Sequence, residues 1–214
     1  MRLRHLPAAL ARRVCADRRG ATLVEFAIIA PVMMTLLSGM CELAYQGYLQ
    51  SVLTGAIQKA GRDSTIQGNG SQSTEIDAAV IAQLGQLASG WTANCSATPP
   101  ATTRTYCSTR KSYATFMNVG PEPYVDANSN NQYDAATECF TDVNNNKVWD
   151  SGITGQGGAN DVAVYTITIT YPRLFPVAGL IGMSRTGTLS ASTTLKNQPW
   201  ATQNVFTPQQ VCPT

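Results

Sequence analysis

Histidine is nearly missing from this chain: 214 residues contain one, His5. Catalysis that needs an imidazole therefore has no candidate beyond the first few residues. Charged residues make up 13% of the chain, about half the usual share. Aromatic residues make up 7%, so the core is expected to be small. No nucleophile-elbow, HExxH or phosphate-loop pattern occurs. No CxxC pair is present either, which argues against a zinc site. These deficits lead us to expect a protein that is not an enzyme and takes no small-molecule substrate.

Charge is segregated. Residues 1–20 hold six arginines and one acid, Asp17, and the rest of the chain carries three more acidic than basic residues. A nucleic-acid footprint needs a basic face on the folded body, and none is suggested. The basic block instead precedes a 23-residue apolar run, Leu23–Tyr45 (LVEFAIIAPVMMTLLSGMCELAY). As a helix that run is about 34 Å long at ~1.5 Å per residue, enough to cross a bilayer. Arginines before it put the N-terminus in the cytoplasm and everything after about Tyr45 outside. The run is too long for a cleaved secretory signal, and no clear small-x-small site follows it.

Glu25 lies near the start of this run, where a carboxylate is costly without a partner. An acid that snorkels to the headgroups is the simplest reading. The junction Arg19-Gly20-Ala21-Thr22-Leu23-Val24-Glu25, followed by an apolar helix, resembles the type IV prepilin leader. The resemblance implies that a membrane peptidase cuts after Gly20 and frees the amine of Ala21. Glu25 then lies one helical turn on, placed to pair with that amine or a neighbouring subunit's. The longer stretch RRGATLVEFAIIAPVMMTLL, with Pro31 inside and Glu42 near the far end, resembles the TadE-like family. These are minor pseudopilins of the tight-adherence (Tad) pilus machinery. The similarity covers residues 18–62, and Leu189–Trp200 (LSASTTLKNQPW) is similar to the family's C-terminal end. Phe26 follows Glu25 where the main fibre pilins of this system carry tyrosine, which implies a minor component. Pro31 is expected to kink the helix.

Helical periodicity continues past the apolar run. Tyr45, Leu49, Val52, Leu53, Ala56, Ile57 and Ala60 recur at spacings of three and four. One helix from about Thr22 to Asp63 is expected, ended by the Gly-rich run 67–71. Its outer stripe either covers the domain's own core or packs on partner helices. A second helix is expected at Glu75–Ser89, capped by Thr74 and closed by Gly90. Residues 91–121 read as irregular, with a short strand at Thr103–Ser108. The clearest strand is 161–171, with Ala163, Tyr165, Ile167, Ile169 and Tyr171 on one face. Another is expected at Thr186–Lys196. The linker between them, PRLFPVAGLIGMS, is unusually apolar for a loop; it is either buried or a contact patch for the membrane or a partner, and contact is preferred.

A pattern repeats with period 16. The first copy runs from Glu122 through Asp126, Asn128, Asn130, Gln132 and Asp134. The second runs from Glu138 through Asp142, Asn144, Asn146, Val148 and Asp150. Oxygen donors at loop positions 1, 3, 5 and 9, with the carbonyls of Gln132 and Val148 at position 7, suit a hard cation such as calcium. Position 6 holds Asn131 and Lys147 instead of glycine, and position 12 lacks the bidentate glutamate. Glu138, one residue later, is the candidate substitute in the first loop. Plain Asx turns without metal are the alternative. A pair of catalytic carboxylates at Asp126/Asp134 or Asp142/Asp150 fits the interleaved Asn less well.

Four of the six cysteines, Cys95, Cys107, Cys139 and Cys212, follow the apolar run and lie in an oxidising compartment. Three pairings are possible. Cys95–Cys107 closes a short loop, and Cys139–Cys212 ties the tail to the acidic loops; this pair of bridges is preferred.

The expected architecture is α+β. A basic leader covers 1–20, a membrane-spanning and extended helix covers 21–63, and 64–214 forms an extracytoplasmic domain. That domain holds an antiparallel sheet, one covering helix and the duplicated loops at 122–150. The resemblance implies a single-pass inner-membrane protein whose C-terminal domain is periplasmic or extracellular. Its implied partners are a prepilin peptidase, other pilins and pseudopilins, and inner-membrane pilus assembly proteins. The competing expectation is a signal-anchored, calcium-stabilised binding domain that keeps its leader.

Overall fold

The computed structural model describes residues 20–64, 73–175, 179, 182–199, 201 and 206–213. Residues 1–19 of the leader, including His5 and Cys15, the Gly-rich run 67–71, and residues 176–178, 180 and 181 of the apolar linker lie outside the described residues. The architecture is α+β. Helix α1 spans Ala21–Ser64 and continues through Pro31. Helix α2 spans Ser73–Gly85. The strands are β1 (Trp91–Ala93), β2 (Arg104–Tyr113), β3 (Phe140–Asp142), β4 (Ile153–Thr154), β5 (Val162–Pro172), β6 (Thr186–Lys196) and β7 (Gln209–Val211).

The chain forms two compact units. One contains α1 up to Tyr45 together with Leu174–Ser184, and the other contains Gln46–Arg173 and Arg185–Thr214. In the first unit, α1 is long and apolar enough to cross a membrane. Its large side chains face outward: Leu23 is 72% exposed, Phe26 69%, Ile28 69% and Met40 68%. Each such side chain left in water forfeits roughly 1.5–3 kcal/mol of burial, so a run of them needs an apolar environment. Glu42, near the end of the run, is buried, and its Oε2 accepts the backbone N–H of Leu174 at 3.0 Å.

In the second unit the rest of α1 behaves differently. Leu49, Leu53 and Ile57 are fully buried, and Ala56 and Ala60 nearly so. The periodic stripe thus covers the domain's own core. Gly61 shows how closely the helix approaches β6. A Cβ there would lie 2.5 Å from Thr193 Cγ2 and 3.0 Å from Leu195 Cδ1. Gln50 Nε2 donates to the Ser190 carbonyl at 3.2 Å. At the helix end, Gln156 Nε2 donates to Ser64 Oγ at 3.3 Å and to Asn197 Oδ1 at 3.1 Å.

The main sheet has the order β1-β2-β5-β6, with β4 added beside β2. Ala163, Tyr165, Ile167, Ile169 and Tyr171 of β5 are all buried, as alternation requires. The β5–β6 ladder runs from Val162↔Lys196 to Pro172↔Thr186. Helix α2 contributes Ile76, Val80 and Leu84 to the core. It also contributes Asp77, which is 8% exposed and forms an ion pair with Arg110 at 2.5 Å. Ser108 Oγ and the Tyr165 hydroxyl also donate to Asp77, and the Arg110 guanidinium lies 4.1 Å from the Tyr165 ring centroid. Burial and the hydrogen bond to Asp77 push the Tyr165 phenol far above its ordinary value.

Several expectations need correction. The sheet is mixed, because β1 pairs with β2 in parallel. A separate two-stranded sheet, β3–β7, and the short β4 add to the expected strands. The strand expected at Thr103–Ser108 runs on to Tyr113, because its inward residues Ser108 and Arg110 are satisfied by Asp77 and leave no apolar alternation to read. Helix α2 begins at Ser73, so Thr74 lies inside it, and it ends at Gly85. Gly90, with φ +83°, turns the chain five residues later. Disulfides join Cys95 to Cys107 and Cys139 to Cys212.

Candidate functional sites: a helix start and a pair of acidic loops

The first site is the start of α1. Gly20 is exposed, and the helix begins at the next residue, Ala21. A Cβ on Gly20 would meet no described atom within 4 Å. Packing within the described residues therefore does not demand glycine there. Glu25 is exposed and lies four residues along the helix, about 6 Å at the usual rise. Gly20, Ala21 and Glu25 thus sit within the first turns, with the carboxylate open to a partner.

The second site is the segment 122–150, whose two copies fold alike. In the first, Asp126 Oδ1 accepts the N–H of Asn130 at 3.2 Å and Oδ2 that of Asn131 at 2.9 Å. In the second, Asp142 Oδ1 accepts the N–H of Asn146 at 3.3 Å and Oδ2 that of Lys147 at 2.8 Å. Asn128 and Asn144 each accept the N–H two residues on, as do Asn130 and Asn146. These Asx turns require positive φ at positions 4 and 6. Ser129, Asn131, Asn145 and Lys147 all have φ between 60° and 62°. Position 6 thus takes the conformation usually given to glycine, even where it is lysine.

Positions 3, 5 and 9 converge. The Asn128 and Asn130 amides donate to Asp134 Oδ2 at 2.7 and 3.0 Å. The Asn144 and Asn146 amides donate to Asp150 Oδ2 at 3.3 and 2.6 Å. In each loop one carboxylate is therefore gathered with two carboxamides.

The glutamates explain how the copies fit together. Glu138 is 1% exposed; its Oε1 accepts the Ala127 N–H at 2.9 Å and its Oε2 the Asp134 N–H at 3.0 Å. Glu122 is 3% exposed and does the same for the other loop, through Val143 N–H at 2.9 Å and Asp150 N–H at 3.3 Å. Each glutamate precedes one loop and fastens the other. Burial raises the Glu122 carboxyl above its usual range, against the lowering effect of those two N–H donors. The backbones cross as well: Val125 N–H donates to the Cys139 carbonyl at 2.9 Å, and Thr141 N–H to the Pro123 carbonyl at 2.7 Å.

Between the loops the repeated aromatics pack together. Tyr133 stacks on Trp149 at 4.9 Å between centroids, Tyr124 meets Tyr133 edge-on at 5.8 Å, and Phe140 meets Tyr133 at 5.6 Å. Cys139–Cys212 pins this module to β7. Loop spacing alone does not reveal the exchange between Glu122 and the second loop, because the fastening residue lies 20 positions upstream of Asp142 rather than downstream. A signal is present all the same, since the glutamate repeats with the loop.

Among the described residues no group of three or more His, Cys, Asp or Glu side chains is gathered as a metal cluster. Fit to a hard cation would rest on two aspartates per loop with the Asn side chains and the carbonyls of Gln132 and Val148. Glu138, the expected substitute ligand, has a backbone N–H on each oxygen instead.

The family model for TadE-like proteins matches residues 20–62. The match begins at Gly20 and ends two residues before the end of α1. It covers about a fifth of the chain, and Leu189–Trp200 lies outside it. No curated protein and no solved structure matches the chain.

Proposed function

We propose that this chain, TadE-like over residues 20–62, is a minor pseudopilin-type component of a Tad pilus assembly system, anchored by α1 and supporting pilus biogenesis and surface adherence. The carrying observation is a coincidence of positions. The family match, the start of α1 and a glycine that packing does not require all fall at residues 20–21. The arginines before α1 favour a cytoplasmic N-terminus and an extracytoplasmic domain. Cleavage by a prepilin peptidase after Gly20 would leave Ala21 as the first residue. An exposed Glu25 in an apolar helix then supplies a charge for the free amine of this chain or of a neighbouring pilin. The chain contributes binding and assembly surfaces rather than a reaction.

The test is genetic. A host strain lacking the chain should lose surface pili, the wild-type chain should restore them, and Glu25→Ala should not. Normal piliation without the chain would contradict the reading.

The acidic module is proposed to hold calcium as a structural ion. Asp126, Asn128, Asn130, the Gln132 carbonyl and Asp134 would hold one ion; Asp142, Asn144, Asn146, the Val148 carbonyl and Asp150 the other. Support comes from the duplicated spacing and the convergence of positions 3, 5 and 9 in both loops. Two carboxylates per loop imply modest affinity. Calcium at ten times Kd should stabilise the domain by about 1.4 kcal/mol per independent site, read as a higher Tm than in chelator. No shift between millimolar calcium and chelator would refute it.

A further inference from the structure

The main sheet turns a hydroxyl-rich face away from the core. The register sets Thr105, Thr170 and Thr188 side by side across β2, β5 and β6, with Cys107, Thr168 and Ser190 in the next row. Residues opposed in this way share a face. Thr168 Oγ1 and Ser190 Oγ lie 3.1 Å apart, and Thr170 Oγ1 and Thr188 Oγ1 3.4 Å. Each pair uses one proton internally and keeps another proton and lone pairs to offer outward.

After β1 the chain forms a wall beside this face at residues 94–99. Its root is held by the Asn94 N–H bond to the Tyr106 carbonyl at 2.9 Å and by the Cys95–Cys107 disulfide. Within it, the Asn94 side chain accepts the Ser96 N–H at 2.8 Å and Ser96 Oγ the Thr98 N–H at 3.4 Å. Wall and sheet bound a cleft of about 540 Å³. That size falls within the ~300–1,000 Å³ usual for ligand sites.

Thr105 lies on the cleft floor and is only 3% exposed. Its hydroxyl is neither paired among the described residues nor sealed off by protein, so it opens into the cleft. A hydroxyl so nearly buried is costly unless something entering the cleft bonds to it.

The lining also restricts the ligand. Among the described residues, no charged side chain and no aromatic ring lines the cleft. An anion would find no cationic partner there, and a cation no carboxylate. A nucleic acid would find neither a basic groove nor a stacking surface. An acyl chain would leave the threonine hydroxyls without partners. The lining instead mixes hydroxyls with C–H surface from threonine methyls, Pro99 and the disulfide. A sugar ring carries the same mixture.

We propose that this cleft binds a neutral carbohydrate, with Thr105, Thr170 and Thr188 as its hydrogen-bonding floor and residues 94–99 as its side wall. The site lies wholly within the second compact unit and depends neither on leader removal nor on calcium.

The test uses the full-length chain in phosphatidylcholine nanodiscs, prepared without glycoside detergent. The probes are neutral di- to tetrasaccharides of glucose, galactose, mannose and N-acetylglucosamine, with a glucuronate-containing oligosaccharide for comparison. Saturation-transfer NMR detects contact, and titration gives the affinity. At least one neutral oligosaccharide should bind saturably and more tightly than the acidic one. Thr170→Val with Thr188→Val keeps the shape of the floor and should weaken binding roughly two- to tenfold per hydroxyl removed. Thr105→Val should weaken it similarly and leave Tm unchanged, because its hydroxyl bonds nothing in the protein. Thr166→Val, on the same sheet face but outside the cleft, should bind like the wild type. No transfer to any neutral oligosaccharide overturns the proposal. So does equal affinity for the acidic one, or binding that survives both Thr105→Val and the double variant. A lower Tm in Thr105→Val with both disulfides intact would show that the protein itself holds that hydroxyl, and overturns it as well.

Discussion

Asp77 shows what single residues contribute to this fold. Its carboxylate lies in the core and meets Arg110, Ser108 and Tyr165 at once. Removing one partner of such a buried pair strands the other. Asp77→Ala should therefore destabilise the domain by about 3–5 kcal/mol, read by denaturant unfolding. A loss below about 1 kcal/mol would show that Arg110 finds water instead. Tyr165 gives a pH signature. Its phenol is raised well above the ordinary 10.0, so the folded state keeps a proton that the unfolded state gives up. Stability from this group is full below pH 10 and should fall progressively as pH rises above it. Tyr165→Phe should flatten that alkaline fall; an unchanged slope would assign it to other groups.

At the level of elements, Gly61 tests how α1 is seated. A side chain there collides with Thr193 and Leu195 of β6. Gly61→Val should cost about 1–3 kcal/mol from overpacking. A Cβ on Gly55 meets nothing within 4 Å, so Gly55→Ala should be accepted without loss. Denaturant midpoints for the two variants separate the cases, and equal costs would contradict close seating at Gly61.

How legible an element is depends on its pattern. The long helix is readable to within one residue at each end, because an apolar run passes directly into a three-four stripe. Strands β5 and β6 are readable because Tyr165, Ile167 and Ile169 alternate with threonines. Strand β2 reads shorter than it is because Ser108 and Arg110 face inward, and only the folded position of Asp77 explains why polar groups are allowed there. The three-residue strands β3 and β7 carry too little periodicity to stand out. The two acidic loops are visible from their spacing. Their exchange of glutamates is not, because it joins residues from opposite ends of the repeat.

For the whole molecule, a TadE-like helix leads into a domain with its own core and its own cross-links. The family match stops at residue 62, so the readings offered for the domain rest on its own residues and geometry. Everything proposed for the chain as an assembly component follows from the first turns of α1. If the leader is removed, Ala21 and Glu25 become the start of a pilin-type helix. If it stays, the same chain is an anchored binding domain.

The intact mass of the protein, taken from membranes of a host with an active prepilin peptidase, decides between these most directly. The expected mass is short of residues 1–20, with Ala21 as the N-terminus. A full-length mass, with the peptidase shown active on a control substrate in the same membranes, would contradict the pseudopilin assignment.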